Sequence, residues 1–343
     1  MPEITVAITA YNLEKYLSHC FEQLISQTYQ NFEILIYDDC SCDATRDILD
    51  LYKNKLGNKL QIILGQTPLR LPAESRNAIL DSGMIQGEYV VFLDGDDIIE
   101  RTFLEKLYNA VIKSSADISV CAYNRFESET GHVLCTEMQG YPRQMEVGKT
   151  NYPSLAFVNT SLWNKLIKVS RIEQLRFPSF SVGEDACFLL SVYNNCNKIC
   201  FIDDILIHYR VRANSVISNT SESTIYAFAE ELFKLWKASE NTFLKNDIAL
   251  ASFIHIGISM AIRANNGCNV DSKKIIHWIS AYFQNNYGWF TSCIYLRFFY
   301  LIKYGFKGLC IWIARICYRL GVFSAVLFVY SVLIRITKKD FKF

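Results

Sequence analysis

The sequence lacks several patterns that would define its class at once. None of its twelve cysteines forms a CxxC pair, and Cys196 and Cys200 have no histidine at zinc-site spacing. A chain of 343 residues does not depend on disulfides for its core, so we expect reduced thiols in a cytoplasmic protein. Internal repeats and low-complexity segments are absent, and no basic and apolar leader precedes the first strand pattern. We therefore expect an intracellular globular chain and no zinc module.

Apolar segments of strand length alternate with amphipathic segments of helix length. The predicted strands are 4–9, 32–39, 60–64 and 89–94. The predicted helices are 13–28, 43–56, 73–84, 101–114, 161–172 and 183–195. This alternation predicts an α/β domain with a mostly parallel central sheet flanked by helices.

The second half of the chain is less regular. Residues 127–153 are polar and contain three glycines, which predicts a loop that can include a hairpin. Residues 199–215 predict a pair of strands followed by a basic loop, and helical spacing continues over 222–290. We therefore expect an α-helical C-terminal extension to the α/β domain.

Carboxylates follow two of the predicted strands where each strand ends. Asp38 and Asp39 end the second strand, and Asp94, Asp96 and Asp97 end the fourth. Because parallel sheets bind ligands beyond the carboxyl ends of their strands, we expect one site at this edge. Three neighbouring carboxylates repel one another and resist burial unless a cation lies among them. The cluster favours a hard divalent cation that a substrate diphosphate shares.

Other interpretations of the 94–97 cluster explain less of it. Asp97 or Glu100 could cap the helix that follows, but a cap uses only one carboxylate. An EF-hand loop would carry a glycine where this sequence has Ile99. A phosphatase with an aspartyl nucleophile would carry its aspartate pair after the first strand, whereas this cluster follows the fourth.

Seven segments together carry a resemblance to a known family. They are VAITAYNLEKYL, SQTYQNFEILIYDDCSCDAT, ESRNAIL, GEYVVFLDGDD, LWNKLIK, GEDACF and YRVRANSVIS. These segments follow one another in the order typical of family 2 glycosyltransferases with the GT-A fold. The chain resembles that family over about residues 3–220. The resemblance implies inverting sugar transfer from a nucleotide-sugar, expected to be UDP-linked, with Mn²⁺ or Mg²⁺ as cofactor.

The resemblance also assigns residues that would bind the nucleotide. Thr9, Ala10 and Tyr11 match the loop that packs on the nucleotide, and Tyr11 would lie against the base. The alternative for Tyr11 is an ordinary, partly buried tyrosine. Asp39 would accept a hydrogen bond from the uracil or the ribose.

Neighbouring residues would support this donor site. Asp38, Ser41 and Asp43 are expected to hold the turn and cap the following helix. Arg76 would reach the donor phosphates, and its alternative is a surface ion pair of little energy.

The 94–97 cluster matches the family's DxD motif. Asp96 and Asp97 would hold the ribose and the metal ion. Asp94 opens the motif and would contact the donor sugar or orient the other two carboxylates. The cation would offset the charge of the leaving diphosphate.

The later motifs supply the chemistry and the closing segment. Asp185 matches the family's catalytic base, and Glu184 would hold an acceptor hydroxyl or orient the base. The alternative is that both acids only stabilise a helix N-terminus. Arg210 and Ser215 match the segment that closes over the donor diphosphate, while His208 fits a packed strand histidine better than a metal ligand.

The C-terminal tail has a charge balance of its own. Residues 291–343 hold nine Lys or Arg and one acid, whereas the first 290 residues hold 26 basic and 33 acidic residues. Residues 320–334 are uncharged but shorter than the roughly 20 residues of a membrane span. The pairs Lys303/Lys307 and Arg315/Arg319 have the i,i+4 spacing of one helical face. This tail favours the inner surface of an anionic membrane.

Two alternatives remain for the tail: an apolar helical core, or a homodimer interface with a solvated basic face. Nucleic-acid binding is not expected, because the tail is too apolar.

These observations define a leading hypothesis and its alternatives. The first is an inverting glycosyltransferase at the cytosolic membrane face, with a lipid-linked surface polysaccharide as acceptor. The second is a non-catalytic GT-A scaffold that partners another glycosyltransferase, and a weaker third is a metal-dependent phosphohydrolase. The expected domains are 1–220 (1–105 for the donor, 106–220 for the acceptor), a helical region 221–290 and the tail 291–343.

Overall fold

The computed structural model describes residues 1–149, 152–211, 220–265, 270–327 and 329. The chain divides into two compact units. The first, here called the sheet unit, comprises 1–152, 159–179 and 184–215. The second, here called the helical unit, comprises 153–158, 180–183 and 216–343.

The first half of the sheet unit consists of parallel strands, as the apolar runs predict. The strands are β1 (Ile4–Ala10), β2 (Phe32–Asp38), β3 (Leu60–Leu64) and β4 (Tyr89–Asp94). The helices are α1 (Leu17–Ile25), α2 (Thr45–Leu56), α3 (Pro72–Asp81) and α4 (Phe103–Ser114). The strands pair in the order β3-β2-β1-β4, all parallel. Nearly every residue of β1, β2 and β4 is buried, which is why these strands are apolar runs without alternation.

The second half of the sheet unit adds shorter and mixed pairings. Its elements are β5 (Ile98–Ile99), β6 (Ile118–Glu127), β7 (Val133–Glu137), β8 (Gln144–Glu146), β9 (Lys165–Lys168), α5 (Glu184–Asn195) and β10 (Lys198–Val211). The sheet continues from β4 in the order β9-β6-β10-β5, with β7 beside β6 and β8 beside β10. β10 runs parallel to β6, and the other added ladders are antiparallel. The four longest ladders are all parallel, so the predicted fold class is confirmed.

Two predicted elements of this half are wrong. The segment 161–172 was expected to be helical, but it contains β9, which lies antiparallel between β4 and β6. Pairing with strands distant in the sequence overrides the helical spacing of its apolar residues. The expected strand pair over 199–215 is a single strand, β10, with register shifts between Ile202 and Ile207. The exposed Asp203 and Asp204 lie at this irregularity within one strand and do not form a turn between two strands.

The helical unit contains the helices expected over 222–290 and others beyond them. They are α6 (Glu222–Ala238), α7 (Thr242–Ser252), α8 (Ala261–Asn265), α9 (Ser272–Tyr287), α10 (Phe298–Leu301) and α11 (Gly305–Arg319). A π-helical stretch, Phe253–Met260, joins α7 to α8. Among the described residues, the run Thr242–Asn265 is long and apolar enough to cross a membrane, but 78% of its most apolar window is buried in the fold.

The tail differs from its predicted basic face. Lys303 lies in a 3-10 turn before α11, and Gly305 begins α11 with a positive φ of 60°, so Lys303 and Lys307 do not share a helix. Arg315 is buried and donates hydrogen bonds to the carbonyl oxygens of Leu296 and Trp289, at 2.9 and 3.0 Å. The sequence spacing could not show that Arg315 holds the preceding segment in place. Of the apolar run 320–334, residue 328 and residues 330–334 lie outside the described residues.

Candidate active site

The carboxyl ends of β1, β2 and β4 lie side by side at one edge of the sheet. In the parallel ladders Ala10 pairs with Asp38, and Thr9 pairs with Asp94. The two acidic clusters therefore lie at the same edge, as the strand pattern predicts. This edge is where open α/β sheets bind their ligands.

The turn after β2 is held by its own polar side chains. The Ser41 hydroxyl accepts from the Asn12 backbone N–H at 2.9 Å, and an Asp43 carboxylate oxygen accepts from the Thr45 N–H at 3.0 Å. Asp38 is fully buried, accepts from the Ser41 N–H and forms an ion pair with Arg46 at 2.9 Å. The expectation that Asp38, Ser41 and Asp43 hold this turn is confirmed. The expectation that they cap α2 is wrong, because Ala44 is the N-cap residue and no side chain caps this helix.

At this edge of the sheet Asp39 is buried and Tyr11 is exposed. Asp39 is buried, and its two carboxylate oxygens accept from the backbone N–H groups of Leu69 and Arg70, at 2.6 and 2.8 Å. These contacts fix the loop after β3 beside the end of β2. Tyr11 lies directly after β1 and is 57% exposed, so its ring is accessible at this edge.

The turn after β4 buries one carboxylate and binds it to β10. Asp97 is buried, and its Oδ1 accepts from the backbone N–H of Arg210 at 3.0 Å. The Arg210 side chain donates from Nε to the Asp96 carbonyl oxygen at 2.9 Å, and its guanidinium lies over the Phe126 ring. Arg210 is therefore joined to the 94–97 cluster, while Ser215, predicted beside it, lies outside the described residues.

The electrostatics of Asp97 fit a cation. Within the described part of the chain, its Oδ2 is buried with no hydrogen-bond partner. Burial, followed by the charges of Asp94 and Asp96, raises the pKa of Asp97 well above its usual range. Over the same residues, no three His, Cys, Asp or Glu side chains converge on one point. One or two carboxylates completed by substrate phosphates are the usual arrangement for Mg²⁺, so the donor set fits a metal that binds together with a diphosphate.

Arg76 joins the two groups of acids that the sequence places far apart. It is 6% exposed, and its Nη1 donates to the Asp185 carboxylate at 2.7 Å. Its Nη2 lies 3.4 Å from Asp94 Oδ1, and Nη1 lies 3.6 Å from Glu184 Oε1. The alternative of a surface ion pair is therefore wrong. Arg76 is a buried cation shared by three carboxylates.

Glu184 and Asp185 begin α5 and differ in their surroundings. Glu184 is buried, and burial and the neighbouring Asp185 raise its pKa to about 7 against the opposing charge of Arg76. Burial also raises the pKa of Asp185, and there the charges of Arg76 and Lys165 oppose the rise. The more exposed Asp185 carboxylate bonds directly to the arginine, so it is the better candidate for an ionised base.

Lys165 is a buried charged residue that the sequence interpretation did not single out. Its Nζ lies 2.6–2.8 Å from four oxygens, those of the Asn159 carbonyl and side chain, the Ser161 carbonyl and the Asn164 side chain. Burial lowers its pKa to about 7, and its charge also lowers the pKa of Asp185. A lysine at the start of a buried apolar strand was the available signal. Lys165 holds the 159–164 loop and adds a second cation whose charge acts on Asp185.

His208 contacts acids and amides within the sheet unit. Its ring nitrogens lie 2.6 Å from Asn124 Oδ1 and 2.8 Å from Glu100 Oε1. The prediction of a packed strand histidine is therefore confirmed.

This arrangement defines a class of enzyme. A mixed α/β sheet places one acidic turn suited to a cation and diphosphate beside a separate pair of acids suited to proton transfer. Two such groups, joined here by Arg76, suit a group transfer from a nucleotide diphosphate.

Comparisons with known proteins indicate the same class of enzyme. Residues 5–171 match the model of the family "Glycosyl transferase family 2". The glycosyltransferase GlyG of Streptococcus pneumoniae is 30% identical over 224 residues, which is 62% of this chain and 72% of GlyG. GlyA of the same organism is 31% identical over 241 residues, which is 67% of this chain but 34% of GlyA. The chain belongs to glycosyltransferase family 2.

A solved structure supports the fold. The crystal structure of residues 1–349 of TarS from Staphylococcus aureus, in complex with UDP-GlcNAc, superposes with a TM-score of 0.71 and 20% identity. The match covers 94% of this chain and 92% of that structure. The GT-A fold and the glycosyltransferase class predicted from the sequence are thus confirmed.

Proposed function

We propose that this glycosyltransferase moves a sugar from a UDP-sugar to a hydroxyl group of a glycan, with a divalent metal ion and with inversion at the anomeric carbon. The observation that carries the proposal is the buried Arg76, which joins Asp94 at the donor edge to Asp185 at the start of α5. It brings a phosphate-binding turn and a proton acceptor into one site. The UDP-GlcNAc in the TarS structure supports a UDP-linked donor.

The donor would lie along the edge formed by the strand ends. Thr9, Ala10 and Tyr11 would receive the nucleotide, with the exposed Tyr11 ring available for stacking on the base. Asp39 would contact the uracil or the ribose through lone pairs not used by the Leu69 and Arg70 N–H groups.

The diphosphate would lie beside the turn after β4. Asp94 would contact the donor sugar, and Arg210 and Ser215 would bind the diphosphate, for which a guanidinium is well suited. Arg76 would lie within reach of the phosphates from the Asp94 side.

The metal ion, Mn²⁺ or Mg²⁺, would be held by Asp97 and Asp96. The unpartnered Oδ2 of Asp97 is the oxygen available to it. When bound, it would supply positive charge that offsets the leaving diphosphate. The protein contributes the burial that keeps water away from Asp97.

Asp185 would act as the base. The acceptor oxygen attacks the anomeric carbon, the bond from that carbon to the diphosphate oxygen breaks with its electron pair, and the hydroxyl proton passes to the Asp185 carboxylate. Arg76 orients this carboxylate and favours its ionised form. Glu184, which is more deeply buried, would orient the acceptor hydroxyl or the base.

We also propose the cellular setting. The acceptor would be a lipid-linked cell-surface polysaccharide, and the protein would act as a peripheral protein at the inner face of the cell membrane. In this proposal residues 1–220 form the catalytic domain, 221–290 a helical region and 291–343 the membrane-associated tail. Nucleic acid is not an expected partner.

The test is to follow the product. Purified protein is incubated with UDP-sugars, Mn²⁺ or Mg²⁺ and membrane extracts that contain lipid-linked glycans, and UDP release and product configuration are measured. An inverted anomeric configuration in the product, read by NMR, supports the mechanism. A retained configuration would contradict the assignment of Asp185 as a base, and activity that survives full chelation would contradict the metal.

A further inference from the structure

Helix α11 has two apolar faces, and the described part of the chain covers only one of them. Its inner face is buried in the helical unit through Gly308, Ile311, Ala314, Arg315 and Tyr318. Its outer face carries Phe306, Ile313 and Leu320 at seven-residue spacing, and all three are exposed. A surface helix of a soluble protein ordinarily presents polar residues on its outer face.

Further apolar residues lie between these three positions on the same side of the helix. Leu309, Cys310, Ile316 and Cys317 lie along the same side of α11 and are half-buried. The stripe from Phe306 to Leu320 spans fourteen helical steps, or roughly 21 Å.

The segment before α11 extends this stripe. Phe299 is 82% exposed, and the Phe298 ring lies 5.0 Å from the Trp312 ring of α11. Together Phe298, Phe299, Ile302, Phe306, Ile313 and Leu320 are here called the outer apolar surface. A concentration of large exposed apolar side chains in one segment of the chain is typical of an interaction site.

The charged residues around the outer apolar surface indicate which kind of partner covers it. From residue 272 to residue 327 the sequence contains seven Lys or Arg and not one Asp or Glu. Arg297, Lys303, Lys307 and Arg319 are exposed in the same segment as the surface. A second copy of this chain would bring the same cations against themselves, with no acid in the segment to pair with them. Anionic lipid offers both an apolar interior and negative headgroups.

We infer that the outer apolar surface inserts into the interface of an anionic bilayer. Phe299, Phe306 and Leu320 enter the acyl region, and the neighbouring cations remain at the headgroup phosphates, to which long basic side chains extend. This inference deepens the proposed function, because it gives the residues that hold the enzyme at the membrane of its acceptor.

The test is flotation of the full chain with vesicles, without donor or acceptor. The vesicles are phosphatidylcholine alone or phosphatidylcholine mixed with phosphatidylglycerol. The test variant combines Phe299→Ser, Phe306→Ser and Leu320→Ser. The matched control combines Leu51→Ser and Ile112→Ser, two exposed apolar residues on α2 and α4 of the sheet unit.

We expect the wild type to float with the anionic vesicles and bind the neutral ones at least tenfold more weakly. The test variant should bind anionic vesicles at least tenfold more weakly than the wild type, and the control should bind like the wild type. Lys303→Gln with Arg319→Gln should reduce the preference for anionic lipid. UDP binding in solution is measured on each variant. It should stay unchanged, which would show that the sheet unit is folded.

Three results would overturn the inference. The first is that the wild type binds neither kind of vesicle, and the second is that the test variant binds like the wild type. The third is that sedimentation shows a dimer for the wild type and a monomer for the test variant. The last result would assign the outer apolar surface to a second copy. Because UDP binding and sugar transfer are measured separately, failure here leaves the proposed reaction standing, and failure of the reaction leaves the membrane result standing.

Discussion

Arg76 offers the sharpest perturbation of the site. Arg76→Met keeps the volume of the side chain but removes the cation that lies 2.7 Å from Asp185 and within 3.6 Å of Asp94 and Glu184. Removing one partner of a buried ion pair costs about 3–5 kcal/mol, because the other charges are left uncompensated. We expect the free energy of unfolding to fall by that amount at pH 8.

The sign of the pH dependence follows from the pKa shifts. Without Arg76 the pKa values of Asp185 and Glu184 rise further above those of the unfolded chain. Acids with raised pKa values bind protons more tightly in the folded state, so they favour folding at low pH and this stabilisation is lost as pH rises. The stability deficit of the variant should therefore shrink as the pH is lowered.

The same shift should appear in catalysis. A base must be ionised to accept a proton, so the acid limb of the pH profile of kcat/KM should move to higher pH in Arg76→Met. At pH 7 we expect kcat/KM to fall by about 10–100-fold, with part of the loss recovered at higher pH.

The assays are UDP release over a range of pH and urea denaturation at two pH values. Arg176→Met is the matched control, because Arg176 forms an ion pair with the more exposed Asp81. It should cost only about 0–1 kcal/mol and leave the pH profile in place. An Arg76→Met variant that keeps the wild-type pH profile and loses only donor affinity would refute the reasoning and assign Arg76 to the donor phosphates alone.

The other predictions concern the acids of α5 and the buried lysine. Asp185→Asn should lower kcat by about 10²–10⁴-fold while UDP affinity, measured calorimetrically, is retained; a loss confined to UDP affinity would contradict its role as a base. Glu184→Gln should raise the free energy of unfolding at pH 8 by about 1–3 kcal/mol, because a carboxyl with a pKa of about 7 no longer has to ionise in the folded state. The free energy of unfolding should then fall less steeply between pH 5 and pH 8 than it does in the wild type. Urea titrations that show the same pH dependence for both proteins would contradict this. Lys165→Met should lower the free energy of unfolding by about 3 kcal/mol, since four oxygens lose the ammonium that donates to them; thermal unfolding measures this, and a neutral effect would contradict a stabilising role for these bonds.

The strand edge of the site could be predicted because its information is local. β1, β2 and β4 are continuous apolar runs, and each ends at polar residues that the parallel pairing brings together. The polar turn after β2 could also be predicted, because Ser41 and Asp43 bond to residues near them or to the adjoining loop.

The remainder depends on contacts between distant parts of the sequence. Arg76 bonds to a carboxylate 109 positions away, and no spacing rule indicates that pair. β9 was predicted as a helix because its apolar residues fit a helical period, and only its neighbours β4 and β6 make it a strand. Arg315 has the spacing of a surface helix residue, but carbonyl oxygens of the preceding segment take its side chain inside.

The most direct test of the central claim is calorimetric titration of the wild type, Asp97→Asn and Asp50→Asn with UDP, with and without Mn²⁺. Asp50 is an exposed carboxylate on α2 and controls for the loss of a charge. The account predicts metal-dependent UDP binding in the wild type and in Asp50→Asn, and its loss in Asp97→Asn. Equal UDP binding by all three proteins without metal would contradict the assignment of Asp97, and no nucleotide binding under any metal would contradict the donor site itself.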